Sequence, residues 1–142
     1  MKVNIALLTV TDTRTFDNDK SGAILVDKIK EANHNLLDRK ICKDNKNEIV
    51  LILKEWLKNE KIDAIITTGG TGLTGRDITP EALEEIADKH IPGFGEVFRT
   101  ISLKTVVPQQ FNQEPALYYR MGNMFLLYQV HLVVSLMLGK EF

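Results

Sequence analysis

Residues 64–83 read AIITTGGTGLTGRDITPEAL, the most informative segment of the chain. The apolar run at residues 64–66 is too short for a helix and leads directly into a glycine-rich segment, so it predicts a buried strand. Glycines allow positive φ angles and a close approach of the backbone to a ligand, and successive N–H groups can form an anion-binding concavity. Thr79 is a good N-cap and Pro80 a good first helical residue. The segment therefore predicts a strand, a glycine loop and a helix, and open α/β sheets bind ligands at such strand ends.

The composition is that of a globular protein of ordinary polarity. The chain has 142 residues, of which 44% are hydrophobic and 26% charged, which fits one domain with a substantial core. A net charge of −1 gives no electrostatic signature for binding nucleic acid or an anionic membrane. The single cysteine, Cys42, excludes an intrachain disulfide, and three histidines with one cysteine argue against a zinc site. Because there is no signal-peptide pattern, and the apolar residues 124–138 are too few to span a membrane, we expect a cytoplasmic protein.

Apolar periodicity predicts alternating strands and helices around the central segment. Residues 3–10 predict a central parallel strand, and residues 36–41 predict an edge strand because three charged residues interrupt its apolar pattern. Amphipathic patterns predict helices around residues 24–29 and 49–57, the second with Trp56 facing the core, and a third helix from Pro80 to about Lys89. His90 is expected at the surface. This alternation predicts an α/β fold, a three-layer sandwich with a mostly parallel central sheet.

Polar residues follow the first two predicted strands at the points where they end. Thr11 and Asp12 follow the first strand and lead to Ser21 and Gly22 before a helical pattern, and Asp44 follows the second strand. These residues alone leave two interpretations open. The first loop is either a solvated connection with Ser21 as the helix cap or a phosphate-binding segment at a helix N-terminus. Asp44 is likewise either the N-cap of the next helix or a functional carboxylate, and the glycine loop could be only a tight connection.

Three segments together resemble one known family. Residues 67–82, TTGGTGLTGRDITPEA, resemble the signature of the molybdenum-cofactor biosynthesis family, which includes molybdopterin adenylyltransferase (MogA), its sister MoaB and a domain of gephyrin. Residues 9–22, TVTDTRTFDNDKSG, resemble the family segment that lines the pterin phosphate site, with Thr11 in place of the usual serine. Residues 92–99, PGFGEVFR, resemble a further family segment. The resemblance extends from Val3 to about Thr105.

The resemblance implies a fold, a reaction and a set of site residues. The fold is the Rossmann-like molybdopterin-binding sandwich, and the reaction is the Mg²⁺-dependent adenylylation of molybdopterin by ATP, which releases pyrophosphate. Asp44 and Asp77 would be catalytic and would hold Mg²⁺, although the proline that precedes the first aspartate in the family is absent here. Substrate and nucleotide binding would fall to Thr11, Asp12, Ser21, Gly22, Thr68, Gly69, Gly70, Thr71 and Gly72. In this arrangement the backbone N–H groups of residues 69–72 and the hydroxyls of Thr68 and Thr71 would hold the nucleotide phosphates. The family also implies a homotrimer or a homohexamer.

The resemblance leaves the activity of this chain open. Phosphoryl chemistry needs alignment and charge neutralisation, so the lack of a serine or histidine triad does not count against an adenylyltransferase. The alternatives are a MoaB-type protein that binds molybdopterin without transferring adenylate, and an inactive product of a frameshifted gene.

The frameshift is suggested by the end of the chain, where the family motifs are absent from the expressed frame but present in the neighbouring one. Back-translated as TTC AAT CAA GAG CCN, residues 111–115 contain CAA TCA AGA GCC, which encodes the family motif QSRA. In the same shifted frame, residues 128–133 can encode PGSPG and residues 136–140 can encode DAWE, at the family spacing. We therefore expect that one base was lost near the codon of Val106. The resulting prediction is a domain at residues 1–105 and an altered, poorly packed tail at residues 106–142 that does not supply the last strand and helix of the domain.

Overall fold

In the part of the chain that the structure describes, six strands form the middle layer. The computed structural model describes residues 2–70, 78–103, 116–120 and 124–128. The strands are β1 Asn4–Val10, β2 Asn35–Cys42, β3 Ala64–Gly69, β4 Lys89–His90, β5 Ala116–Arg120 and β6 Met124–Tyr128. Their order in the sheet is β2-β1-β3-β6-β5-β4. The strands β2, β1, β3 and β6 are parallel, whereas β5 is antiparallel to both β6 and β4.

Helices cover both faces of this sheet. Those in the described residues are α1 Lys20–Glu31, α2 Lys46–Leu57, α3 Ile78–Ile86 and α4 Phe94–Leu103. On one face, Leu25 and Ile29 of α1 pack against Ile5, Leu7 and Ile66 of the sheet, with Phe94 of α4 beside them. On the other face, α2 and α3 bring Ile49, Leu53, Trp56 and Leu83 onto Ala6, Leu8 and Ile65. Because helices cover both faces, β1 is buried along residues 5–10. The predicted three-layer α/β sandwich is confirmed.

The order of the strands places a switch point at β1. The chain leaves β1 through α1 to reach β2 on one side, and later reaches β3 on the other side of β1. In open α/β sheets, a crevice that binds ligands forms outside the carboxyl ends of the strands at such a reversal. The expected parallel pairing of β1 with β3 and the expected edge position of β2 are confirmed.

The predicted third helix differs from the observed one at both ends. Helix α3 begins at Ile78, so Thr79 lies inside the first turn and is not the N-cap. Pro80 is tolerated there because the first-turn N–H groups have no partner within the helix. The helix ends at Ile86 rather than near Lys89, because residues 89–90 pair with β5 as the short strand β4. His90 is exposed, as expected, and its ring lies 5.2 Å from that of Tyr118.

Part of the predicted tail takes a place in the sheet. Residues 124–128 form β6, which pairs in parallel with β3, and residues 116–120 form β5. The expectation that residues 106–142 supply no last strand is therefore wrong for these ten positions. An apolar, β-branched-poor run such as MFLLY can still occupy a central parallel strand, because such a strand requires apolar side chains on both faces. The rest of the tail, including all but the first of residues 128–133 where PGSPG is predicted, lies outside the described residues.

No helix within the described ranges is both long enough and apolar enough to span a membrane.

Candidate functional site

Three parallel strands end at the same level of the sheet. Val10 of β1 pairs with Cys42 of β2 on one side and with Gly69 of β3 on the other. Beyond these pairs, the Thr11 N–H donates to the Cys42 carbonyl at 2.8 Å, and the Gly70 N–H donates to the Val10 carbonyl at 2.8 Å. The loops that follow β1, β2 and β3 therefore leave the sheet side by side, as predicted for a shared site.

The glycine loop requires glycine at its first two positions. Gly69 has φ 89° and Gly70 has φ 80°, in the left-handed region that side chains with a Cβ disfavour. A Cβ on Gly69 would lie 2.1 Å from the Val10 carbonyl oxygen, and one on Gly70 would lie 2.5 Å from Oγ1 of Thr79. The expectation that the Gly70 N–H holds a phosphate is corrected, because β1 already accepts that hydrogen bond. Thr71 and Gly72 lie outside the described residues.

Thr68, which was expected to offer its hydroxyl to a nucleotide phosphate, is buried. It pairs with Thr9 in the middle of the sheet and is only 2% exposed. Thr79 at the start of α3 is also fully buried, with its hydroxyl against Gly70. Thr68 is thus a buried part of the sheet, and the Thr79 hydroxyl lies against the glycine loop from inside the protein.

Asp12 and Asp44 come together at the ends of β1 and β2. The Asp44 backbone N–H donates to Oδ1 of Asp12 at 3.1 Å, with Asp12 exposed and Asp44 half-buried. The alternative that Asp44 is the N-cap of α2 is wrong. The N-cap is Asn45, whose side chain accepts the N–H of Glu48 at 3.2 Å. Asp77 lies outside the described residues, so its predicted position beside Asp44 stays a prediction.

These carboxylates fit a hard cation in chemical type. Mg²⁺ prefers carboxylate, phosphate and water oxygens, and Asp12 and Asp44 offer carboxylate oxygens from neighbouring loops. Within the described ranges, no group of three or more His, Cys, Asp and Glu residues is placed to hold a metal ion. A magnesium site here would therefore need phosphate oxygens, water or Asp77 to complete it.

Asp19, which the sequence did not single out, is the buried polar centre of the first loop. Its Oδ2 accepts the Thr9 hydroxyl at 2.8 Å and Nη2 of Arg39 at 2.9 Å. Its Oδ1 accepts the Gly22 N–H at 3.0 Å, which makes Asp19 the N-cap of α1. The alternative in which Ser21 caps this helix is therefore wrong. One carboxylate thus joins β1, β2 and the start of α1.

The charge of Asp19 is maintained despite its burial. Burial raises the pKa of this carboxyl, but the Gly22 N–H, the Thr9 hydroxyl and the Arg39 guanidinium together outweigh it and hold the pKa below its usual value. The same contacts explain Gly22, since a Cβ there would lie 2.0 Å from Oδ2 of Asp19. They also correct the expectation that the Gly22 N–H binds a phosphate, because this N–H donates to Asp19.

The sequence contained signals for this cluster that its interpretation missed. Asp19 stands three residues before Gly22, at the distance at which an N-cap aspartate accepts a backbone N–H. Arg39 is a cation in a strand next to an amphipathic helix, and such a charge needs a buried partner. Arg14, in the same loop, lies with Nη1 3.4 Å from the Ser21 hydroxyl and 3.9 Å from Oδ1 of Asp19.

Cys42 ends β2 close to the site, with its thiol buried. Burial raises the pKa of this thiol to about 12, and the nearby Glu48 and Asp44 carboxylates act in the same direction. At neutral pH the side chain is therefore a protonated thiol in the core, a poor nucleophile and a poor metal ligand.

Comparisons with known proteins identify the family to which the sequence is similar. The family model described as "Probable molybdopterin binding domain" matches residues 6–128. The chain is 44% identical over 101 residues to Molybdenum cofactor biosynthesis protein B of Bacillus cereus, an alignment that covers 71% of this chain and 60% of the relative. It is 40% identical over 102 residues to the protein of the same name from Escherichia coli K12, again with 60% of the relative covered. The chain thus matches about three-fifths of the length of these relatives.

Solved structures of similar proteins have the same fold as this chain. A crystal structure of a Molybdenum cofactor biosynthesis protein B superposes with a TM-score of 0.81 at 34% identity, covering 97% of this chain and 86% of that one. The molybdopterin biosynthesis enzyme MoaB of Thermus thermophilus superposes with a TM-score of 0.74 at 27% identity, covering 89% and 79%. With its glycine loop, the contact of the Asp44 backbone with Asp12, and these matches, the chain belongs to the molybdenum-cofactor biosynthesis family of probable molybdopterin-binding domains.

Proposed function

We propose that this chain acts in molybdenum-cofactor biosynthesis by binding molybdopterin and transferring an adenylyl group to it from ATP. The observation that carries the proposal is the meeting of Asp12 and Asp44 beside the glycine loop, at the carboxyl edge of β1, β2 and β3. Membership of the family supports the choice of a pterin as substrate. The family also supports self-association as a trimer or hexamer.

The proposed reaction is a substitution at the α-phosphorus of ATP. An oxygen of the terminal phosphate of molybdopterin forms a bond to that phosphorus, while the bond to the bridging oxygen of pyrophosphate breaks and the leaving group takes the electron pair. The attacking phosphate is already ionised, so no general base is required. Such a reaction depends on alignment and on neutralisation of the phosphate charges.

Each loop has a part in this arrangement. Asp44 and Asp77 would hold Mg²⁺, which would supply neutralisation of the phosphate charge. Gly69, Thr71 and Gly72 hold the nucleotide phosphates, and the buried Thr79 packs against the loop at Gly70. Thr11, Asp12 and Ser21 orient the phosphate end of the pterin.

A second candidate is a protein that binds molybdopterin without transferring adenylate. It is favoured by one feature of the chain, the segment Cys42-Lys43-Asp44, in which the proline typical of the adenylyltransferases is missing. The relatives at 40% to 44% identity are named for biosynthesis protein B. In this case the pterin binds but no pyrophosphate is released.

The test is an anaerobic assay that measures adenylylated molybdopterin by mass spectrometry and pyrophosphate by a coupled reaction. We expect product from the unaltered chain and a loss of roughly 100-fold or more in turnover for Asp44→Asn and for Asp77→Asn. The matched control is Asp27→Asn, an aspartate on α1 away from the three loops, whose loss should leave turnover unchanged. Binding without product would support the second candidate, and unaltered turnover in the two aspartate variants would contradict the proposed residues.

A further inference from the structure

The peptide group that precedes Asp44 is held by hydrogen bonds at both of its polar ends. Its carbonyl oxygen, which belongs to Lys43, accepts the Asn45 N–H at 2.8 Å and closes a three-residue γ-turn with Asp44 at the centre. Its N–H, which belongs to Asp44, donates to Oδ1 of Asp12 at 3.1 Å. Because a planar peptide group ends at the following Cα, these two hydrogen bonds restrict the direction in which the Asp44 side chain leaves the backbone.

The two hydrogen bonds come from different parts of the chain. The turn belongs to the segment between β2 and α2, whose other contacts are with the helix. The Lys43 N–H donates to Oε1 of Glu48 at 3.4 Å, and the Asn45 side chain accepts the Glu48 N–H at 3.2 Å. The contact with Asp12 comes instead from the loop after β1, 32 residues earlier in the chain. It therefore fixes the turn relative to the edge of the sheet and not only to its own helix.

Asp12 directly follows a residue that is tied to the sheet. The N–H of Thr11 donates to the Cys42 carbonyl at 2.8 Å, which extends the pairing of β1 with β2 by one hydrogen bond. On its other side β1 pairs in parallel with β3, the strand that leads into the glycine loop. An ionised acceptor also makes a stronger hydrogen bond to an N–H than a neutral one does. The Asp12 carboxylate thus joins the turn at Asp44 to the central strand of the site.

We propose that Asp12 is a positioning residue for Asp44: its carboxylate holds the γ-turn in the orientation in which the Asp44 carboxylate meets the Mg²⁺ that accompanies ATP. This inference rests on the proposed function of Asp44. It goes beyond that function by giving the Asp12 carboxylate a task toward the metal, which it performs through the backbone of another residue and without touching the metal.

Two substitutions of Asp12 separate positioning from metal ligation. In Asp12→Asn the amide oxygen still accepts the Asp44 N–H, so the contact is kept and only the charge is removed. In Asp12→Ala both are removed. A ligand of Mg²⁺ needs the carboxylate and would be impaired by both substitutions, whereas a positioning residue is impaired only by the second.

The first measurement is hydrogen exchange of the Asp44 amide, followed by NMR in the full 142-residue chain. Residue 12 is distant from residue 44 in sequence, so its substitution leaves the intrinsic exchange rate of that amide unchanged. Asp12→Ala should speed the exchange by roughly 3- to 10-fold, the effect of one hydrogen bond, and Asp12→Asn should stay within about twofold of the unaltered chain. The matched control is Asp17→Ala, which removes an exposed aspartate from the same loop and should change nothing. Exchange that is equally slow in Asp12→Ala would overturn the proposal.

The second measurement is the Kd for Mn²⁺ in the presence of an ATP analogue that has a methylene group between its α- and β-phosphorus atoms. Mn²⁺ takes the same oxygen ligands as Mg²⁺, and calorimetry gives its Kd without any transfer reaction. Asp12→Ala should raise this Kd by roughly 3- to 10-fold at an unchanged Tm, while Asp12→Asn and Asp17→Ala should stay within about twofold. An equal rise in Asp12→Asn would make Asp12 a metal ligand and overturn the positioning role. A lower Tm without a change in Kd would make its role merely structural and would overturn it as well.

Failure of the proposed transferase gives a different result. A chain that forms no adenylylated molybdopterin, but whose two Asp12 variants differ in Kd as stated, would contradict adenylyl transfer alone. An Asp44→Asn variant that binds Mn²⁺ and the nucleotide as tightly as the unaltered chain would contradict the proposed function of Asp44, and the positioning role of Asp12 would fail with it.

Discussion

Asp19 carries a full negative charge inside the protein, and its partners explain why it can. Transfer of a carboxylate out of water costs several kcal/mol unless hydrogen bonds and an opposite charge replace the lost hydration. Here one hydroxyl, one backbone N–H and one guanidinium replace it. Removal of any one partner would leave a buried charge incompletely compensated, so the cluster is more sensitive to substitution than an exposed ion pair.

The lowered pKa of Asp19 predicts a pH dependence of stability. A carboxyl whose pKa is lower in the folded than in the unfolded chain stabilises the fold above its unfolded value, near 3.8, and loses this effect as the pH falls through the folded value. The free energy of unfolding should therefore fall on acidification below about pH 4, and the fall should be shallower in Asp19→Asn. Urea unfolding at a series of pH values measures the difference, and identical acid limbs would contradict the prediction.

Glu85 provides the control for this experiment. Its pKa is also lowered, chiefly by its hydrogen bond with Lys46, but this glutamate is exposed and its pairing with two lysines is screened by salt. Added salt should remove the contribution of Glu85 to the pH dependence of the free energy of unfolding and leave most of the contribution of Asp19.

Gly22 gives a second prediction at the scale of one residue. Glycine inside a helix usually costs about 0.5–1 kcal/mol relative to alanine, so Gly22→Ala would ordinarily stabilise α1. Here the new Cβ would lie 2.0 Å from Oδ2 of Asp19 and 2.7 Å from Nη2 of Arg39. The sign should therefore reverse, with a loss of about 1–3 kcal/mol in the free energy of unfolding. Lys20→Ala in the same turn should change the free energy of unfolding by no more than about 0.5 kcal/mol. A Gly22→Ala protein that is more stable than the unaltered chain would contradict the prediction, because it would show that Asp19 and Arg39 can move away from the new methyl group.

At the scale of elements, the start of α2 carries a helix-capping residue directly after the aspartate to which we assign a function. Asn45 caps the helix, whereas the adjacent Asp44 contacts the loop after β1 through its backbone N–H. Asn45→Ala should lower the free energy of unfolding by about 1 kcal/mol, the usual cost of a lost N-cap, and leave turnover close to normal. Asp44→Asn should have the opposite pattern, a small change in stability and a large one in turnover. A stability loss in Asp44→Asn as large as that in Asn45→Ala would favour a structural role for both residues.

The strands and helices were largely predictable because their signals are local. The apolar runs of β1 and β3 and the amphipathic faces of α1 and α2 are visible in short windows of sequence. The cluster around Asp19 was not predictable in this way, since Arg39 stands twenty residues further along the chain and meets Asp19 only after β2 pairs with β1. For the same reason the uses of the Gly22 and Gly70 N–H groups became visible only in the folded chain.

At the scale of the whole molecule, the sequence alignment with a relative covers a smaller share of this chain than the structural superposition does. The alignment with the Bacillus cereus relative covers 71% of this chain, whereas the superposition on a Molybdenum cofactor biosynthesis protein B covers 97%. Strand β6 accounts for part of this difference, because it pairs with β3 although the sequence on either side of it lacks the family motifs. A frame-shifted segment can still form a strand if its codons encode apolar residues, because a central parallel strand mainly requires apolar side chains.

The last prediction is the frameshift itself. Amino-acid substitutions change a motif gradually and would not preserve it in another reading frame. Here QSRA, PGSPG and DAWE can all be encoded one base away from the expressed frame, in order and at the family spacing. Sequencing the coding DNA should therefore find codons that spell these motifs, with one base missing near the codon of Val106. Restoring that base should give a chain with the family loop after β6, and this chain should show a higher Tm and tighter molybdopterin binding than the 142-residue form, because the restored segment agrees with the rest of the fold. Codons that do not encode the three motifs in the shifted frame would refute the frameshift and make residues 106–142 a genuine variant end of the domain.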